Sequence, residues 1–279
     1  MIIDFRMKPP VPEWVEYGDY NQGRESAIKL LNLKGIEPTQ SITYDQVLAD
    51  MDKLGIRYGV IMGRGGERGS SNQELASFLA DHSQRFIGFI GADSETVEGS
   101  VALIEQYGRS PLFRGVSLNP AVQQPRIPIG DPAADPIFEA CRKYGLPLAI
   151  TLSGILGLLG DEPDYDYARP SRLVRAARKY ADVPIIISHA AWPFVAEAIQ
   201  TAIYCPNVYL SPDLYLGFPG SSLYVEAANF TLGDRILYGS CFPNVPYDWA
   251  LEHFRKQSWN EGVLDKVLYQ NGAALLNLP

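Results

Sequence analysis

His189 is the residue in this chain best suited to chemistry. It directly follows the apolar run Pro184–Ser188, so its ring is expected to leave the end of a buried strand and face a cavity rather than bulk water. An imidazole titrates near neutrality, which makes His189 a candidate general acid or base, with a hydrogen-bonded structural histidine as the alternative. His82 and His253 fall inside helical patterns and read as surface residues. Asp213 follows a second short apolar run, Val208–Ser211, and can orient His189 or activate water. Cys241 lies in the tight turn Gly239-Ser-Cys-Phe-Pro243. Near His189 or a lysine its thiol can become a nucleophilic thiolate, and otherwise it is a buried inert cysteine. Cys141 and Cys205 read as core residues.

The cations lie at the other end of the chain. The opening, Met1-Ile-Ile-Asp-Phe-Arg-Met-Lys-Pro-Pro10, reads as a buried strand stopped by two prolines that lack a donor N–H. Strict alternation puts Asp4, Arg6 and Lys8 on one side of it, facing the mouth of a barrel. Two cations held close repel, and an anion between them relieves that repulsion. The simplest functional reading is a substrate carboxylate bridged by Arg6, with Arg64 as a second candidate. Lys8 with a lowered pKa can act as base or nucleophile, or it can extend to solvent. Asp4 is expected to brace the strand rather than react. Asn119 and Thr151, both polar residues at strand ends, and Trp14 in the loop after strand one complete the candidate substrate-binding set. Asp93 and Ser153 read as helix caps or turn residues.

Regular elements must hold these residues in place. After a long loop from Pro9 to about Thr43, with Trp14, Tyr17, Tyr20 and a short helical stretch near Arg24–Leu33, the pattern alternates. Strands are expected at Tyr58–Met62, Phe86–Ile90, Phe113–Leu118, Pro147–Leu152, Pro184–Ser188, Val208–Ser211 and Arg235–Tyr238. Helices are expected at Tyr44–Leu54, Asn72–His82, Ser94–Tyr107, Asp135–Tyr144, Pro170–Tyr180, Pro193–Ile203, Ser221–Phe230 and, after the last strand, near Tyr247–Lys256, Gly262–Tyr269 and Asn271–Leu276. Alternation of this kind forces parallel strands with right-handed crossovers. With the opening strand it gives eight units, an α/β chain folded as one (β/α)8 TIM barrel over residues 1–279, with the long loop after strand one as a lid. A doubly wound open sheet is the alternative, weakened because no GxGxxG opens the first helix. Gly63-Arg64-Gly65-Gly66 is too slight a signal for a phosphate site.

Composition narrows the function. A formal net charge of -8 argues against non-specific nucleic-acid binding. No apolar run reaches the roughly 18 residues of a membrane span. Three cysteines without a CxxC spacing suit a reducing cytoplasm.

Several segments resemble the amidohydrolase-related family, in its amidohydrolase 2 branch. They are Ile2-Ile-Asp-Phe-Arg-Met-Lys-Pro9, Leu146-Pro-Leu-Ala-Ile-Thr-Leu-Ser-Gly154, Ile185-Ile-Ile-Ser-His189, Arg235-Ile-Leu-Tyr-Gly-Ser-Cys-Phe-Pro243 and the closing Tyr269-Gln-Asn-Gly-Ala-Ala-Leu-Leu-Asn-Leu278. In metal-using members the first strand carries two histidine ligands; here those positions are Arg6 and Lys8. The fifth-strand histidine corresponds to Thr151, and the eighth-strand aspartate to Cys241. Positive charge where a cation would sit opposes its binding, and one histidine with a thiol is too small a set for the usual zinc sites. The expectation is therefore an enzyme with no metal and no cofactor. It would act on a small anionic, carboxylated substrate, with hydrolysis of a lactone or a related C–O or C–N bond first and decarboxylation second. A non-catalytic barrel, serving as a binding protein or as the partner subunit of an active relative, is the competing class. The resemblance also implies a homo-oligomer, although the sequence marks no interface.

Overall fold

The computed structural model describes residues 1–9, 29, 32, 43–65, 71–120, 128–153 and 166–278. Trp14, Gly66 and nearly all of the expected lid and its helical stretch lie outside them. Seven parallel strands pair in chain order: β1 (Ile2–Met7), β2 (Ile56–Met62), β3 (Phe86–Gly91), β4 (Phe113–Leu118), β5 (Leu148–Thr151), β6 (Ile185–Ser188) and β7 (Val208–Ser211). The eighth position is filled by residues 235–242, which form isolated bridges, Leu210 to Ile236 and Met7 to Phe242, instead of a ladder. This segment still closes the circle. The Leu237 amide donates to the Leu210 carbonyl at 2.9 Å, and on the other side the Phe5 amide donates to Tyr238 at 2.9 Å and the Cys241 amide to Arg6 at 2.8 Å. The pleat fails here because the Asp4 carboxylate takes the Ser240 amide at 2.8 Å and Cys241 turns to φ 61°.

Helices cover the outside where the sequence places them. The first is α1 (Tyr44–Leu54), capped by the Thr43 side chain and ended by Gly55 at φ 78°, the left-handed value that suits glycine. Next come α2 (Asn72–His82), opened by a Ser71/Glu74 capping box, α3 (Val97–Tyr107) and α4 (Asp135–Tyr144). The second half carries α5 (Val174–Lys179), α6 (Val195–Tyr204), α7 (Ser222–Ala227), α8 (Tyr247–Arg255), α9 (Val263–Asp265) and α10 (Asn271–Leu275). The expected helices at Ser221–Phe230 and Gly262–Tyr269 end in wider π turns, Ala228–Leu232 and Lys266–Gln270.

The barrel interior is a cluster of its own: Ile3, Phe5, Val60, Met62, Ile87, Phe89, Ala149, Ile186 and Leu237, joined by Ala273 and Leu276 from the C-terminal end. This corrects the reading of β1. With Ile3 and Phe5 inside, strict alternation would send Asp4, Arg6 and Lys8 outward. A bulge intervenes. Asp4 pairs with Gly59 and Met7 with Ile61, so three steps on β1 match two on β2. Met7 therefore joins Ile2 in the outer core, and Arg6 is re-aimed toward the mouth, as bulges beside functional sites commonly do. Asp4 braces β1 against the closing segment, as expected. It accepts from the Ser240 hydroxyl at 2.5 Å and the Arg6 amide at 3.0 Å.

Candidate active site

The strand ends of β6, β7 and the closing segment bring His189, Asp213 and Cys241 together, with ligand-type atoms all within 4.8 Å of one another. Each sits on left-handed backbone: φ is 63° at His189, 43° at Asp213 and 61° at Cys241, and Ala190 and Ala191 follow at 44° and 62°. Non-glycine residues in this region cost on the order of 1–3 kcal/mol each, and such strain clusters at functional sites. Among the described residues only Asn32 and Asn277 share it outside the site.

Asp213 fixes the imidazole. His189 Nδ1 lies 3.0 and 2.9 Å from the two Asp213 carboxylate oxygens, and the His189 amide donates to the same carboxylate at 3.3 Å. The carboxylate holds a proton on Nδ1 and leaves the Nε2 lone pair to accept one. Burial, and then the Arg6 charge, push the His189 pKa below its usual value against the pull of Asp213. The ring is therefore neutral at neutral pH, the form a general base requires.

Burial also pushes the Cys241 thiol up, to about 12, with Asp213 adding to the shift and Arg6 and Lys8 opposing it. At neutral pH the thiol keeps its proton, which favours the second of the two sequence readings, a buried inert cysteine. Cys241 belongs to an apolar cluster with Leu214, Tyr215, Val245 and Ala250. Cys141 and Cys205 are buried core residues, and all three cysteines are free.

Arg6 is half-buried, and its Nη1 is enclosed without a hydrogen-bond partner. Its Cβ, the Asp213 Cβ and the Ser211 hydroxyl surround Gly239; a Cβ there would lie 3.4, 3.1 and 3.3 Å from them. Glycine thus lets the closing segment pass between the cation and the acid. Lys8 is half-buried, and its charge reaches Cys241. Thr151 is buried at the register level of Ser188.

Arg64 and Asn119 meet through Asp93. The Asp93 carboxylate accepts the Asn119 amide at 2.5 Å and lies 3.6 Å from Arg64 Nη1. Asp93 is therefore not a helix cap; Thr96 caps α3, accepting from the Gly99 amide at 3.1 Å. Ser153 is no cap either. Its hydroxyl shares a hydrogen bond of 2.8 Å with Tyr215, and its carbonyl accepts from Tyr167 at 3.2 Å. His82 and His253 are half-buried, not surface residues: His82 bonds the Tyr44 hydroxyl at 2.9 Å, and His253 stacks on Trp249 with centroids 5.1 Å apart.

The sequence reading overlooked an aromatic wall. The Tyr215 ring lies 4.7 Å from that of His189 and 5.0 Å from Phe218, and Phe218 lies 4.8 Å from Trp192, centroid to centroid. The signal was present: Trp192 follows His189 by three positions, and Tyr215 and Phe218 follow Asp213 by two and five.

A divalent metal is a poor fit to these donors. His189, Asp213 and Cys241 are ligand-type residues within reach of one another, but the Arg6 guanidinium stands beside them. A fixed cation raises the cost of placing a second one.

Comparison with known proteins agrees with the fold. No curated protein sequence matches the chain. Among solved structures, an uncharacterized TIM-barrel protein from Bordetella bronchiseptica is 27% identical, with a TM-score of 0.84 over 99% of this chain and 98% of that one. A 5-carboxyvanillate decarboxylase from Sphingomonas paucimobilis is 16% identical, with a TM-score of 0.67 over 100% and 99%. A dihydroxybenzoic acid decarboxylase from Polaromonas sp. JS666, solved with manganese and 2-nitroresorcinol, is 16% identical, with a TM-score of 0.69 over 99% and 96%. The amidohydrolase family model matches residues 22–278, and the chain, a TIM barrel by fold, belongs to that family.

Proposed function

We propose that this protein is a metal-independent hydrolase of small carboxylated substrates, lactones first among them. The observation that carries the reading is the buried His189–Asp213 pair, with Nε2 left to accept a proton, beside a guanidinium whose Nη1 lacks a partner. His189 takes a proton from water, and the hydroxide attacks the acyl carbon. Asp213 stabilises the imidazolium that forms. Arg6 donates to the oxyanion, where a preorganised donor is worth most. The C–O bond then breaks, and His189 returns its proton to the leaving alkoxide. Arg64 holds the substrate carboxylate, with Asn119, Thr151 and Trp14 as further binding residues and Lys8 as an added positive charge. Strained backbone at both His189 and Asp213 favours an enzyme over a lapsed barrel.

A second reading, decarboxylation, draws support from the aromatic wall beside His189 and from the two similar structures that are decarboxylases of aromatic acids. One experiment separates them. The protein, stripped of metal with chelator, is incubated with a panel of lactones and of hydroxylated aryl carboxylic acids while acid release and CO2 release are followed together. Acid release alone supports hydrolysis, CO2 release supports decarboxylation, and silence on both removes the enzymatic reading.

A further inference from the structure

We propose that Asp93 is a specificity-determining residue that tunes the mouth for a substrate group bearing one negative charge rather than two. The inference rests on the carboxylated substrate proposed above. Asp93 lies two residues past the end of β3, is 4% exposed, and is held by the Asn119 amide at 2.5 Å. It faces Arg64 at 3.6 Å, and burial raises its pKa against the lowering effect of Arg64, the Asn119 amide and Arg6. That separation is long for a charge-assisted hydrogen bond. Asp93 therefore offsets the guanidinium charge without occupying its donors, and the Arg64 side chain stays 25% exposed.

The backbone makes this arrangement rigid. A Cβ on Gly91 would lie 2.4 Å from the Arg64 backbone, and a Cβ on Gly65 2.5 Å from the Asp93 carbonyl. Glycine alone lets the loop after β2 lie directly on the end of β3. The buried Asn72 side chain then clamps Gly91 from both sides, accepting from its amide at 2.7 Å and donating to its carbonyl at 2.8 Å. The glycine-rich turn after β2 thus sets Arg64 over Asp93, a role its sequence alone did not disclose.

Arg6, Arg64 and Lys8 against the Asp93 and Asp213 carboxylates leave a local charge of one positive unit. A monocarboxylate neutralises it; a dicarboxylate overshoots. Removing the Asp93 charge doubles the excess and favours the dianion, and removing Arg64 as well restores the original balance.

The test is calorimetric titration of benzoate and isophthalate, at about pH 8 where model carboxyl groups are ionised, into wild type, Asp93→Asn, Arg64→Gln and the double variant. Wild type is expected to prefer benzoate. Asp93→Asn should shift the ratio of dissociation constants toward isophthalate by about tenfold or more, and the double variant should return it. If Asp93→Asn does not fold, Asp93→Ser takes its place, and its ratio must also move toward isophthalate. An unchanged ratio in the Asp93 variant that folds overturns the role of Asp93 and leaves the carboxylate reading standing. Failure of both probes to bind wild type overturns both.

Discussion

The two sides of the barrel mouth are built differently. Around β6, β7 and the closing segment, the polar groups are neutral or paired, the walls are aromatic, and the backbone is strained at every chemical residue. Around β1, β2 and β3, the groups are formally charged, and glycines bring backbone directly against backbone. The first arrangement suits proton movement in a dry setting, where a carboxylate-held imidazole stays neutral until it accepts a proton. The second suits fixed electrostatics, where cations wait for an anion. Arg6 links the sides, since its charge acts on His189 and Cys241 as well as on Asp93.

If this contrast holds, substitutions on the strained side remove turnover and those on the charged side reshape binding. His189→Ala should have the largest effect, a loss of about a thousandfold in kcat on whichever substrate the panel yields. Far-UV circular dichroism should be unchanged. Retention of more than a tenth of wild-type turnover would mean that the imidazole is structural. Asp213→Asn follows, with a loss on the order of several hundredfold in kcat and little change in KM. Asparagine tolerates the left-handed backbone at this position, but an amide N–H turned toward Nδ1 places the imidazole proton on the wrong nitrogen.

Arg6→Gln should cost about a hundredfold in kcat, and it carries a second signature. The Arg6 charge helps hold the His189 pKa below its usual value. Wild-type activity should fall only when pH drops through that lowered pKa. Without the guanidinium, protonation of His189 becomes easier, and the acidic limb of the pH profile moves to higher pH. An unmoved limb would separate Arg6 from the histidine.

Much of this contrast was legible in the sequence, for physical reasons. β4 and β7 begin and end where their apolar runs do, and α1, α2 and α4 have the bounds that the sequence predicts. His189 and Asp213 stand out because a polar residue straight after a buried strand has few other places to go. The aim of Arg6 was correct for the wrong reason, because a bulge overrides the alternation that was meant to place it. Asp93 was misread because a carboxylate just before a helix resembles a cap, and only the fold shows Arg64 and the Asn119 amide converging on it. The thiol stayed open between nucleophile and inert residue because burial, which outweighs the nearby cations, shows poorly in sequence.

Asp4 offers a test on stability instead of rate. Burial raises its pKa to about 7, against the lowering effect of its bonds to Ser240 and Arg6. The folded state therefore binds a proton that the unfolded chain, titrating near 3.8, has released. Stability from this residue is present below the unfolded value and is lost as pH rises toward about 7. The loss is on the order of a few kcal/mol. Asp4→Asn should flatten the decline in denaturant midpoint between about pH 4 and 7, and an equally steep decline in the variant would show that Asp4 is ionised throughout.

Cys241→Ser should matter least, and it tests the contrast most finely. The thiol lies within 4.8 Å of ligand-type atoms of His189 and Asp213, so proximity alone predicts a covalent role and complete loss of activity. The electrostatics predict the opposite. Burial holds the thiol protonated up to about 12, and the nearby histidine is already engaged by Asp213. Serine is close to isosteric and its hydroxyl is likewise neutral, so kcat should stay within about threefold of wild type. A loss approaching that of His189→Ala would place a covalent bond to sulfur in the reaction and move the nucleophile from water to the protein.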